Sequence, residues 1–466
     1  MAKAHRYLHY TCTTSWRRHT LIIALFPLPA LAIILWMPRI PLNGPKLGMR
    51  ANIGFAVHFL VTFCFNCLGA GISARAGAHV RHADYTLSEI GAIAVVATVH
   101  FGGIYVAITT IWLFPLPLVL IIAFVPWLFC IVASCTELDA DSPAALRAGA
   151  ASQFVVYALY SELASAATPP LQVVLLPCFS LLKYGFKRLV CLVAHHLGDG
   201  AHEVSVAGIE ITAAMYQSMI MQSAPSRVTV VVLIALDVCS GIVGIMHFMD
   251  HDAALPTHEC VRTAIQILEN PAIQTTESSP TNAGTRRDPF WWPLDSRTIQ
   301  RHCRRRTRIA VAMPNSATTT RIAVGKTCTD TLVLTQGLEI LQAAESMLLV
   351  EYLEVMVPLV NALYLVVASQ CESAIYNPKV MPFYPNPPAL QSAMANILSY
   401  LVLQALTLVA TCVVLQRKFG LSALPLPAFA LESQAWSLQG MQIAWLPVIF
   451  ACPIVHSRVA SGQLQY

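Results

Sequence analysis

Charge is what this sequence has least of. Only 11% of its 466 residues are Asp, Glu, Lys or Arg, against roughly a quarter in an ordinary soluble domain. That scarcity, with 56% hydrophobic residues, excludes a soluble enzyme and a disordered chain. Net charge is also small at +5, which excludes a nucleic-acid partner. The 14 cysteines lack the paired spacing of a disulfide framework. The close pair Cys64 and Cys67 falls inside an apolar run and reads as two packing residues, because structural zinc needs four ligands. No Gly-x-Ser-x-Gly elbow occurs, and Gly325-Lys326-Thr327 lacks the upstream glycine of a phosphate loop. No feature supports an enzyme, and no cofactor is implied.

Apolar runs long enough to cross a bilayer are abundant. They lie at Leu21–Met37, Ala51–Ile72, Ile90–Trp112, Phe114–Ser134, Gln153–Leu182, Val204–Gln222, Val228–Met249, Ser346–Ser369, Ala393–Gln416 and Ser437–His456. The expected fold is therefore an all-α, polytopic membrane helical bundle of about ten transmembrane helices, within a range of 9–11. The first run follows Arg17-Arg18 but has no small-residue cleavage site, so it reads as a retained span. Pro169-Pro170 should break or kink the long fifth run.

This gives a basic tail (1–20), about seven spans (21–249), a long polar segment (250–345), three further spans (346–456) and a C-terminal tail (457–466). The polar segment has 11 Lys and Arg and reads as a mostly irregular loop with a basic middle. Alternate-side counting of Lys and Arg places that loop in the cytosol if residues 153–249 make only two crossings. Arg301, Arg304, Arg305, Arg306 and Arg308 then offer a surface to anionic lipid or a cytosolic protein.

None of the 29 Lys and Arg falls inside the ten runs, whereas five acids do: Glu162, Glu210, Asp237, Glu351 and Glu354. A charge at bilayer depth costs roughly 2.5–3.5 kcal/mol, and such residues often mark ion or proton routes. Without an intramembrane base, these carboxyls are expected to be protonated, hydrogen-bonded or bound to a cation. Antiparallel pairing of 204–222 with 228–249 brings Glu210 and Asp237 within about one helical turn in depth. Glu351, Glu354, Pro358 and Asn361 form one stripe at helical spacing. At the other end of the 204–249 hairpin, His195, His196, Asp199 and His202 face His247, Asp250 and His251, a donor set that suits a divalent transition metal.

Several segments resemble a large group of oomycete multispan membrane proteins. They are Val350–Pro358 with Tyr364, Gln391–Gln404, Leu415–Leu424 and Ala430–Trp445, with Ala158–Tyr160, Leu182–Leu189 and Ala213–Ser223 in the middle of the chain. The resemblance covers roughly 150–250 and 340–456. It implies the same architecture and carries over no site residue. Two functions fit these features. One is a proton- or cation-coupled transporter or channel using the buried acids; the other is a membrane scaffold or receptor-like protein whose basic loop binds a cytosolic partner.

Overall fold

The computed structural model describes residues 13–43, 48–78, 86–111, 168–194, 199–223, 227–249, 318–421 and 424–451, with Tyr7, Tyr10, Thr11, Val156, Tyr157, Tyr160 and Leu163 placed singly. Among these residues there are helices, turns and short 3₁₀ segments, and no strand. In chain order the main helices are α1 (Trp16–Leu25), α2 (Leu28–Trp36), α3 (Ile53–Ala78), α4 (Leu87–Ile111), α5 (Pro169–Ala194) and α6 (Asp199–Ser223). They continue with α7 (Arg227–Met249), α8 (Thr318–Ala368), α9 (Pro387–Phe419), α10 (Pro425–Ser433) and α11 (Ala435–Ala451).

Among the described residues five segments are long and apolar enough to cross a membrane: Trp16–Arg39, Leu87–Ile104, Val228–Met246, Gln336–Ala368 and Pro387–Phe419. The apolar part of α3, Ile53–Gly69, is shorter. These helices are compatible with a membrane-embedded, all-α protein. The expected run Phe114–Ser134 lies outside the described residues.

Two helices depart from expectation. Pro169-Pro170 breaks the expected run, with Thr168 non-helical, and opens a new helix, because proline at the first helical positions gives up no hydrogen bond. The helix it starts then continues past Leu182, where the apolar run ended, through Lys183 and Lys187 to Ala194. The second departure is α8, which begins at Thr318 and so takes residues 318–345 out of the expected irregular loop. Residues 250–317 lie outside the described set.

The chain divides into two units. One comprises residues 1–23, 239–349 and 407–430. It explains why α8 extends so far toward its N-terminus. Val333, Ile340, Ala344 and Leu348 recur at helical spacing and are buried with Leu415, Phe419, Leu426 and Phe429. Tyr7 joins this core, its ring edge-on to Phe429 at 5.3 Å.

The other unit comprises residues 24–238, 350–406 and 431–466. Its tightest seam joins α3 to α11. A Cβ on Gly69 would collide with the carbonyl of Gly440 and the backbone of Ala444, so the two helices meet backbone to backbone. Asn66 donates to the Ala444 carbonyl at 3.0 Å across the same seam. Small residues with one interhelical amide bond are the usual means of holding helices together in lipid. In this unit α6 is buried along nearly its whole second half, from Ala207 to Gln222. Tyr157 seals one side of it, contacting the rings of Phe179, Phe186 and Tyr216 at 5.4–5.9 Å.

Candidate functional site

The site is assembled from five helices of the second unit. On α5, Lys183 and Lys187 are four residues apart and so share one face. Their ammonium groups converge on Glu210 of α6, whose side chain is fully buried. Lys183 Nζ lies 2.7 Å from Glu210 Oε2, and Lys187 reaches the other carboxylate oxygen. Lys183 also donates to Glu354 Oε1 of α8 at 2.6 Å. The lysines and Glu354 keep 13–16% of their side-chain surface, so the cluster is sealed at Glu210 and less enclosed at its rim.

This overturns the expectation that the buried acids lack a basic partner. A window drawn by apolarity stops at the first charge, and so it stopped at Leu182. The helix itself does not, and it delivers two ammonium groups to the depth of Glu210. An unpaired charge inside a protein is costly enough that such pairs form whenever a helix can supply them.

Asp237 of α7 stands apart. Its Oδ1 accepts from Gln217 Nε2 at 3.3 Å. Its Oδ2 accepts from the Tyr400 hydroxyl at 3.3 Å and from Gln404 Nε2. Gln404 and Tyr400 are four residues apart on α9 and bond each other at 2.7 Å. Among the described residues Asp237 is therefore held by neutral donors, and it is close enough to act electrostatically on both Lys183 and Glu354. Glu210 and Asp237 were expected to meet; the structure connects them through Lys183 rather than by contact.

Farther along α6 and α8 a third group of polar side chains pairs. Asn361 donates to Ser218 Oγ at 2.8 Å, and Gln222 donates to the backbone carbonyl of Lys379 at 2.5 Å. The stripe of Glu351, Glu354, Pro358 and Asn361 thus faces protein, as its spacing foretold, with Glu351 and Asn361 buried. Pro358 lies within α8 without ending it.

Other sequence candidates lie outside what the structure describes. Glu162, His195, His196, Asp250, His251 and the arginines from Arg301 to Arg308 are outside the described residues. Asp199, His202 and His247 sit on helices whose side chains there are outside them too. Among the described residues no group of three or more His, Cys, Asp or Glu could hold a metal. Sequence reasoning missed Lys183, Lys187, Gln217, Tyr400 and Gln404. The i,i+4 spacing of the two lysines and of Tyr400 with Gln404 was the available signal.

Comparisons with protein-family models, with curated proteins and with solved structures give no match for this chain.

Proposed function

We propose that this is a multi-pass membrane protein that couples a proton or small cation to the movement of a solute, with the network around Lys183 as its coupling site. The observation that carries this reading is a charge count. Three carboxyls, Glu210, Glu354 and Asp237, share two ammonium groups within electrostatic reach of one another. Among the described residues this leaves one negative charge over. In a low-dielectric interior an excess carboxylate is where a proton or cation binds.

In this reading the five apolar helices are joined as crossings by α3, α5, α6 and α11. At 1.5 Å per residue, 25 residues span about 37 Å, enough for a hydrocarbon core of about 30 Å.

The test uses reconstituted vesicles with an imposed pH gradient, an internal pH indicator and a panel of small solutes. At least one solute should trigger proton movement in wild type, and Glu354→Gln should abolish it. Proton-tight vesicles with every solute would count against coupling.

A second reading, a structural membrane scaffold, has its own support. Glu210, Glu354 and Asp237 each contact a donor, and a cavity of this unit is lined by His58, Tyr364, Asn377 and Phe450. If the network only holds helices together, Glu351→Gln with Glu354→Gln should lower the unfolding temperature, and no solute should move protons in wild type or variant.

A further inference from the structure

The acids of the network are not equivalent, and the chemistry of their partners separates them. Ammonium groups only donate hydrogen bonds. Glu210, held by Lys183 and Lys187, is therefore satisfied only as a carboxylate; protonating it would set an acid O–H against two cations. Glu354 gives one oxygen, Oε1, to Lys183, whose ammonium likewise can only donate to it. Asp237 has a different cradle. The groups bonded to it are two glutamine amides and one phenol, each able to donate or accept. A half-turn of the Gln217 or Gln404 amide replaces N–H by C=O, so the same three side chains can serve an ionised and a protonated Asp237.

From this we infer that Asp237 is the group that loads and releases the proton, with Gln217, Tyr400 and Gln404 as its positioning residues and Lys183 as the fixed counter-charge. This deepens the proposed coupling function and rests on it. The step is a simple one: a proton from water forms one O–H bond at an Asp237 oxygen, and the new acid donates to a turned glutamine carbonyl. The charge of the network changes by one unit while Lys183 keeps its pairs with Glu210 and Glu354. Asp237 suits this role by position too, because it is only partly buried on α7, whereas Glu210 is closed off. The titratable groups acting on it come from the neighbouring helices: Lys183 on α5, Glu354 on α8 and Tyr400 on α9, with Glu210 and Lys187 behind Lys183.

The experiment is infrared difference spectroscopy of the full-length protein in bilayers, following the C=O stretch of protonated carboxylic acid as pH is stepped. Beyond the bands of the solvent-exposed carboxyls among its 24 Asp and Glu, wild type should show one titrating band from an acid of the network. Asp237→Asn should abolish it, while Glu210→Gln should retain it. Gln404→Leu keeps the carboxyl but strips the cradle, and should move the midpoint by about one pH unit, tenfold in proton affinity. That variant also serves if Asp237→Asn fails to reach the membrane. A band that survives Asp237→Asn and disappears in Glu354→Gln would overturn this assignment and leave the coupling function standing. No titrating network band in wild type would sink both.

Discussion

Helices α6 and α7 are neighbours in the chain and nearly equal in length, yet they are built on opposite plans. The apolar stretch of α7, Val228–Met246, has a mean hydropathy of 2.5, and only 17% of it is buried. Helix α6 does not reach the apolarity of a crossing at all, and nearly every residue from Ala207 to Gln222 is buried. The same contrast separates α8 from α9, while Leu87–Ile104, at a mean hydropathy of 1.6 and 24% buried, does not follow it. Gln336–Ala368, at a mean hydropathy of 1.6, is 61% buried, while Pro387–Phe419, at 2.2, is 22% buried. In water the order would be reversed, since burial there follows apolarity. An apolar outside around a less apolar inside is compatible with a hydrocarbon surrounding. The comparison teaches where to look for chemistry in such a chain: in the helix that a hydropathy window ranks last.

The largest effect that would test this contrast comes from the inside. Lys183→Met should leave Glu210 and Glu354 short of a counter-charge and destabilise by about 3–5 kcal/mol, the usual result of breaking a buried pair. Thermal unfolding in nanodiscs would measure it, and Lys183→Met with Glu354→Gln should recover part of the loss. Recovery of none would mean that the pair is not the reason for the effect. Next comes packing. Ala213→Leu on α6, at a fully buried position, should cost about 1–3 kcal/mol, whereas Val231→Leu on the outward face of α7 should cost almost nothing. Equal costs would break the comparison. A smaller effect is expected from Asn361→Leu, which removes the bond to Ser218 and should cost on the order of 1 kcal/mol, as interhelical bonds in membranes do.

The smallest effect belongs to neither helix but to the connection after α8. Burial pushes the Cys371 thiol above its ordinary range, only partly opposed by Arg39. An acid with a raised pKa needs higher pH to ionise, so alkylation of Cys371 should be slow at neutral pH and rise later than for a free thiol. Mass spectrometry of a pH series would show it. A curve matching a free thiol would mean that the thiol is not held in that environment.

Much of this fold could be read from the sequence because lipid imposes so simple a rule. The runs 90–112, 228–249 and 393–416 each became a helix with similar limits. The stripe from Glu351 to Asn361 was legible because its period is a property of one helix. What was not legible required knowing which helices touch. Lys183 looked like a loop residue beyond an apolar run, and its role depends on Glu210 and Glu354, 27 and 171 residues away. Gln404 and Tyr400 looked like ordinary polar interruptions until Asp237 was placed against them. The helical start of α8 was hidden in the same way, since Val333 and Ile340 have meaning only beside Leu415 and Phe429.

The seam at Gly69 has a consequence for how the molecule is made. Helix α3 leaves the ribosome early, with a bare glycine and the Asn66 amide on its packing face. The surface that accepts them, Gly440 and Ala444 of α11, is synthesised 378 residues later. Until then α3 must be shielded by a chaperone, by the insertion machinery or by a provisional neighbour. Assembly of this unit therefore cannot proceed strictly in the order of translation. A nascent chain halted before residue 435 would hold most of its helices and still lack the partner of one of its first.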